Sequence, residues 1–144
     1  MNQKRWNVVV PALAIILNEN NDVLLIKRND PGDRWHNKWE FPGGFIENHE
    51  QPSEAAIREA REESGIEIEI IRKSPIVMCQ NDEERKLKAI CIGYFAKPVG
   101  GTVNFENDSG VNDARWFAYK DINFSDCLPL IKEFLDEAAI INNL

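Results

Sequence analysis

The sequence is short of positive charge: its 144 residues carry 17 lysines and arginines against 24 aspartates and glutamates, for a net charge of −7. A protein that coats a nucleic acid polymer presents a basic stripe to the phosphate backbone, and no such stripe is present. We therefore expect no nucleic acid polymer as a partner. An anionic small molecule would have to be held locally, by arginines, lysines, backbone amides or a bound metal.

Cysteine is scarce as well. Cys79, Cys91 and Cys127 are odd in number, lie far apart and have no metal-ligand spacing. This pattern is typical of small, buried apolar side chains in a reducing compartment, and it gives no support to a disulfide framework.

Long apolar runs are also missing. The run over residues 8–17 is too short to cross a bilayer, which takes about 20 residues, and no cleavage-like pattern follows it. We interpret it as a buried strand, and we expect a cytoplasmic protein with no membrane partner.

The chain lacks repeats, linkers and low-complexity segments, and its length predicts a single domain over residues 1–144. Residues 8–17 and 23–27 predict a hairpin, Pro42-Gly43-Gly44 predicts a tight turn, and a helix is expected from Pro52 to Gly65. Further strands are expected within 66–78, 87–96 and 114–119, and a final helix over about 126–142. This order predicts an α/β (α+β) fold with a mixed sheet covered by helices on both faces.

Three glutamates crowd the end of the first predicted helix. Glu59, Glu62 and Glu63 stand at i, i+3 and i+4, so their side chains share one face. Like charges at this spacing repel, and the helix dipole disfavours negative charge in the last turns. A hard divalent cation such as Mg²⁺ would reverse both effects, because carboxylate oxygens are the ligands it selects.

The residues around this cluster favour the same chemistry. Gly43 and Gly44 let the backbone approach a ligand closely, and Glu50 can reach back from the intervening loop. Arg58 adjoins Glu59 and can fix the orientation of a carboxylate. The alternative is a solvated acidic helix face with arginines in surface ion pairs.

The segment over residues 44–66 resembles the Nudix box, G-x5-E-x7-R-E-U-x-E-E-x-G-U, in which U is a bulky apolar residue. The matching positions are Gly44, Glu50, Arg58, Glu59, Glu62, Glu63, Gly65 and Ile66. Ala60 is smaller than the usual aliphatic residue at the first U. Residues 8–63 are similar to MutT-type nucleoside triphosphate pyrophosphatases, and Arg115-Trp116-Phe117 resembles the last-strand signature of the family.

This resemblance implies a Nudix-type α/β/α sandwich with a mixed β-sheet between helices, and a Mg²⁺ cofactor with Mn²⁺ as a substitute. The implied metal ligands are the backbone carbonyl of Gly43 and the side chains of Glu59, Glu62 and Glu63. Catalysis would rest on these glutamates and on Arg58, which holds them in place. The attacking water would be oriented or deprotonated by Glu63 or by a later acid, for which the candidates are Glu106, Asp108 and Asp113.

Four residues are candidates for substrate binding. Arg28 could reach the phosphates, although a surface arginine is an alternative, and Trp35 could stack on a base for about 1–3 kcal/mol or belong to the core. Glu40 precedes the glycine turn and is expected near the ligand. Asp126 stands where mutator-type members carry an asparagine that reads the base edge. A carboxylate only accepts hydrogen bonds, which weakens an 8-oxo-dGTP assignment.

The leading interpretation is a pyrophosphohydrolase that cleaves (deoxy)nucleoside triphosphates to the monophosphate and pyrophosphate, acting as a monomer or homodimer. One alternative is the same chemistry on ADP-ribose or a dinucleoside polyphosphate. Pro75 comes earlier than the proline that ADP-ribose-hydrolysing members tend to carry after the box, which counts against ADP-ribose. Two further alternatives are not enzymes. One is a nucleotide-binding module that has lost turnover, although no box glutamate is missing. The other is a protein that docks a partner through its acidic helix.

Overall fold

The structure, a computed structural model, describes residues 5–142, and the side chains of residues 5–139. In this part of the chain the helices are α1 (Pro52–Ser64) and α2 (Ile131–Asn142), with 3-10 turns at Tyr119–Asp121 and Phe124–Asp126. The strands are β1 (Asn7–Val9), β2 (Pro11–Ile16), β3 (Val23–Arg28), β4 (Trp39–Glu40), β5 (Gly43–Phe45), β6 (Ile66–Ile70), β7 (Ile76–Asp82), β8 (Leu87–Gly101) and β9 (Val111–Phe117).

The long strand β8 organises a six-stranded mixed sheet. β1 and β2 run parallel to it, β6 and β7 pair with it in antiparallel fashion, and β5 lies beyond β2 as an antiparallel neighbour. A second sheet, with strand order β4-β3-β9, is antiparallel throughout. The predicted mixed sheet is confirmed, but it is accompanied by this smaller sheet.

Alternate residues of β2 enter two separate cores, one on each face of the sheet. Ala14 and Ile16 pack with the alanines of α1, whereas Ile15 packs with Phe134 and Leu135 of α2. Because strand side chains alternate between faces, this division places one helix on each side. The predicted α/β/α sandwich is therefore confirmed.

The predicted hairpin over residues 8–17 and 23–27 is wrong. β2 and β3 belong to different sheets and share only an isolated bridge between Leu17 and Val23. Asn18 does close a turn, since its side chain accepts hydrogen bonds from the amides of Asn20 and Asp22 at 2.9 and 3.0 Å. The strands then separate because each finds longer partners elsewhere, and the predicted first strand is itself divided into β1 and β2 at Val10.

Helix α1 begins and ends as its sequence predicts. Pro52 occupies the first turn, and the Glu54 carboxylate accepts a hydrogen bond from the Gln51 amide at 3.1 Å. Gly65 closes the helix in the left-handed conformation, with φ of 76°.

Other element boundaries differ from the predictions. Residues 43 and 44 lie in β5 and not in a tight turn, and β8 continues past Pro98 to Gly101 with an irregular register against β6. Helix α2 begins at Ile131 and not near residue 126, because Leu130 has a positive φ of 78° that a right-handed helix cannot include. Cys91 and Cys127 are buried as expected, but Cys79 is exposed.

None of the helices over residues 5–142 is both long and apolar enough to cross a bilayer. The extent of a single domain over residues 1–144 stays a prediction, and residues 1–4 and 143–144 lie outside the described part of the chain.

We expect Gly65→Ala to lower the free energy of unfolding by about 2–5 kcal/mol, from left-handed strain plus overpacking. A Cβ there would lie 2.5 Å from the Thr102 carbonyl oxygen. Gly32→Ala is the matched control: φ is +93° but nothing lies within 4 Å of the added carbon, so strain alone should cost about 1–2 kcal/mol. Urea unfolding measures both, and equal losses would contradict the packing argument.

Candidate active site

Arg58 is the centre of a hydrogen-bonded cluster on α1. Its guanidinium donates to Glu50 at 2.8 and 3.1 Å, to Glu59 at 3.0 Å and to Glu62 at 3.1 Å. It also donates to the Phe45 carbonyl oxygen at 3.2 Å, which ties the helix to β5. The side chains of Arg58, Glu50 and Glu59 are only 18%, 13% and 16% exposed, so these two ion pairs are weakly screened by solvent. The Glu62 side chain is 51% exposed, and its pair with Arg58 is screened more.

Glu63 is held by β5. One carboxylate oxygen accepts a hydrogen bond from the Gly43 amide at 2.8 Å. Burial raises the pKa of Glu63 to about 9 against the effect of this hydrogen bond, and the nearby charges of Glu40, Glu59 and Asp108 raise it further. In the metal-free protein this carboxyl therefore retains its proton at neutral pH.

Glu59 lies against Gly44, and the neighbouring Gly43 lies against β2. A Cβ on Gly44 would approach its Oε1 to 2.7 Å, and a Cβ on Gly43 would approach the Ala12 carbonyl oxygen to 2.5 Å. Only glycine permits this contact between β5, β2 and α1. Burial raises the pKa of Glu59, and Arg58 opposes the rise.

A cleft of about 400 Å³ is lined by the backbone of Gly43 and Gly44, whereas the side chains of Arg58, Glu59, Glu62 and Glu63 do not line it. Its floor is apolar, with Phe41 and Phe134, and its polar walls include Arg28 and Glu40. Clefts of this size with a few convergent polar groups are typical of small-molecule sites.

Comparison with known proteins matches this architecture to one family. The NUDIX domain model matches residues 8–138. The chain belongs to the Nudix hydrolase family.

Its relatives in the family are named for different substrates. An ADP-ribose pyrophosphatase of Methanocaldococcus jannaschii is 30% identical over 92% of this chain and 72% of that protein. An 8-oxo-dGTP diphosphatase of Escherichia coli is 47% identical, but over 38% of this chain and 42% of its own length. The crystal structure of a MutT NUDIX hydrolase from Burkholderia pseudomallei has a TM-score of 0.76 at 24% identity, covering 90% of this chain and 97% of that one, which supports the fold.

Nudix hydrolases generally use divalent metal ions such as Mg²⁺, and the donor chemistry of the box fits such an ion, because it offers oxygens only. Within residues 5–139, however, no three carboxylate, imidazole or thiol groups converge as a ligand set. Glu62 is engaged by Arg58 and Glu63 by the Gly43 amide. Each of these contacts occupies one carboxylate oxygen, so the other oxygen can accept a cation while the contact is kept.

The structure brings three of the four predicted substrate-binding residues to the cleft. Arg28, Trp35 and Glu40 line it, whereas Asp126 does not. Asp126 lines a separate pocket of about 130 Å³ and accepts a hydrogen bond from Asn123 at 3.1 Å. Arg28 approaches Glu40 at 3.5 Å, and burial raises the pKa of Glu40 to about 7 while Arg28 opposes the rise.

Among the three later acids, Asp108 is the one whose charge acts on the box glutamates. Its charge raises the pKa of both Glu59 and Glu63. Asp113 is paired with Arg115 at 2.8 Å, and Glu106 is exposed in a turn.

Sequence reasoning missed four charged residues of the cleft wall, Asp30, Asp33, Asp82 and Arg85. Arg85 contacts Asp33 at 2.7 Å although the two are 52 positions apart. No local motif marks such a pair, because it forms only when the two sheets pack together.

The pKa of Glu63 gives a prediction for protein stripped of metal with EDTA. Between the ordinary value of 4.5 and about 9, the folded state holds a proton that the unfolded state releases, so stability falls as pH rises through this range. Glu63→Gln removes the titration. It should be more stable than wild type by about 2 kcal/mol or more at pH 8, with the difference vanishing near pH 5.

Thermal melts from pH 5 to 9 measure this difference. Glu69→Gln, at an exposed position on β6, should follow the wild-type profile. Parallel profiles for Glu63→Gln and wild type would show that Glu63 is not shielded from solvent.

Proposed function

We propose that the protein is a Mg²⁺-dependent pyrophosphohydrolase that cleaves (deoxy)nucleoside triphosphates to the monophosphate and pyrophosphate, with nucleotide-pool sanitising as its role. One observation carries the proposal. The partly buried carboxyl of Glu63 accepts a hydrogen bond from the Gly43 amide at 2.8 Å, and Gly43 itself lines the cleft that Arg28 and Trp35 also line.

The box residues prepare the site for a polyphosphate. Bound Mg²⁺ would neutralise phosphate charge, polarise phosphorus and lower the pKa of a water molecule. Glu59, Glu62, Glu63 and the Gly43 carbonyl would hold it, with Arg58 keeping the carboxylates oriented through its contacts at 2.8 to 3.1 Å. No covalent enzyme intermediate is required, since phosphoryl chemistry of this kind rests on positioning and electrostatics.

A base must accept a proton from the attacking water. Glu63 can do so only when ionised, and a cation beside it would lower its pKa from the high value that burial imposes. Asp108 is the alternative base, because it is the later acid whose charge reaches Glu59 and Glu63.

On the substrate side, Arg28 offers a guanidinium to phosphate oxygens and Trp35 a ring face to the base. When Glu40 is ionised, its negative charge offsets part of the positive charge that Arg28 offers to the substrate. Asp126 stays a candidate for the base edge, although it lies outside the cleft lining in this structure.

ADP-ribose is a second candidate substrate. The Methanocaldococcus jannaschii relative named an ADP-ribose pyrophosphatase aligns with 92% of this chain, against 38% for the Escherichia coli 8-oxo-dGTP diphosphatase. Both reactions break a diphosphate bond, so the site chemistry described above serves either.

We also propose a cytoplasmic location and one domain over residues 1–144, active as a monomer or homodimer. The location follows from the nucleotide substrate class and from three cysteines that remain free thiols.

A panel of nucleotides tests the proposal. It should contain nucleoside triphosphates, 8-oxo-dGTP, ADP-ribose and a dinucleoside polyphosphate, each with Mg²⁺ and with EDTA. We expect the highest kcat/KM on a triphosphate, with pyrophosphate as product and no turnover in EDTA. Preference for ADP-ribose would replace the triphosphate assignment, and binding without turnover of any substrate would indicate a non-catalytic module.

Glu62→Gln and Glu63→Gln should each lower kcat by about 100-fold or more, because each removes a charged ligand while preserving shape. Circular dichroism should show an intact fold in both variants. Glu69→Gln makes the same change at an exposed site and should retain kcat within about twofold. Wild-type rates from both box variants would remove the metal-site assignment.

A further inference from the structure

Two ion pairs at the cleft wall join segments that are distant in the sequence. The loop over residues 29–38 supplies Asp33 and Arg34, and the end of β7 with its turn into β8 supplies Asp82 and Arg85. Arg85 donates to Asp33 at 2.7 Å, and Arg34 donates to Asp82 at 2.6 Å. The two ion pairs are reciprocal, since each segment provides one acid and one arginine.

Isolated surface ion pairs contribute little to stability, but these two differ from that case. The side chains of Asp33 and Asp82 are only 11% and 10% exposed. Each acid also fixes its own segment: Asp33 accepts from the Trp35 amide at 3.1 Å, and Asp82 accepts from the Arg85 amide at 3.0 Å. A break in either pair would leave a shielded carboxylate without its main cation.

Each pair includes a residue that contacts a proposed substrate-binding residue. Asp33 also lies 3.6 Å from the guanidinium of Arg28. The guanidinium of Arg34 lies over the ring of Trp35, 4.7 Å from its centroid. The contacts therefore run from the β7–β8 turn through Asp33 to Arg28, and through Arg34 to Trp35.

We propose that Asp33, Arg34, Asp82 and Arg85 are positioning residues: together they form a double strap that holds the loop over residues 29–38 so that Arg28 and Trp35 face the nucleotide. The inference rests on the proposed function, because it assigns the strap to substrate binding. The hydrogen bonds and ion pairs of the four strap residues do not include a box glutamate, so its loss should affect binding and not the chemical step.

Arg34 gives the cleanest test, because it does not line the cleft and its removal acts through its contacts with Asp82 and Trp35. On the triphosphate that the wild type cleaves best, Arg34→Gln and Arg85→Gln should each raise KM about fivefold or more with kcat within about twofold. The double variant should raise KM by less than the product of the single effects, because the pairs hold the same loop. Arg85→Lys should restore part of the affinity.

Arg61→Gln is the matched control. Arg61 pairs with one carboxylate, that of Glu67, and is 55% exposed, close to the 51% of Arg85 and the 41% of Arg34. It lies outside the cleft lining. This variant should retain wild-type KM and kcat.

Amide hydrogen exchange on the nucleotide-free protein separates this inference from the proposed function. Exchange over residues 29–38 should become about tenfold faster or more in Arg34→Gln and Arg85→Gln and stay unchanged in Arg61→Gln. An unchanged exchange rate overturns the strap even if the wild type cleaves none of the nucleotides. Faster exchange with an unchanged KM, or a fall in kcat alone, overturns its role in positioning substrate.

Discussion

The site depends on one guanidinium placed among carboxylates. Arg58 contacts Glu50, Glu59 and Glu62 at 2.8 to 3.1 Å, and with all three ionised it compensates only one of the three negative charges. The remaining charge destabilises the end of the helix, because the helix dipole adds to the repulsion there, and a bound cation would relieve this cost. Arg58 thus orients the acids before a cation binds, and it leaves negative charge for a divalent cation to balance.

The orientation of α1 in turn requires the glycine pair of β5. Gly43 pairs with Leu13 of β2, and its amide holds Glu63. Glu59 packs on Gly44 so closely that no side chain fits between them. The glycines that the sequence suggested as a turn act instead as a strand thin enough to bring the main chain under the acidic face of the helix. The same two glycines therefore set both the packing of β5 against its neighbours and the positions of the proposed metal ligands.

The sequence correctly predicted the features that depend on interactions between nearby residues. The start of α1 at Pro52, its end at Gly65 and the shared face of its glutamates all follow from residues within a few positions of one another. The family resemblance extended the prediction to the fold. Partners of strands could not be predicted in the same way. The short polar turn at Asn18 indicated a hairpin, but β2 gains more by pairing with β8, whose residues lie about 80 positions later. The ion pairs of Asp33 and Asp82 are invisible to sequence patterns for the same reason.

The charge of the cleft restricts which ligand it can hold. Asp30, Asp33, Glu40 and Asp82 outnumber the two arginines of its wall, Arg28 and Arg85, and the glutamates of α1 add negative charge nearby. A polyphosphate entering alone would meet net repulsion, in a protein whose overall charge is already −7. Binding of such a ligand therefore demands a cation that the polyphosphate and the glutamates share. An uncharged or cationic ligand would not need the cation. Dependence of nucleotide affinity on Mg²⁺, separate from any dependence of turnover, is the physical signature of this arrangement.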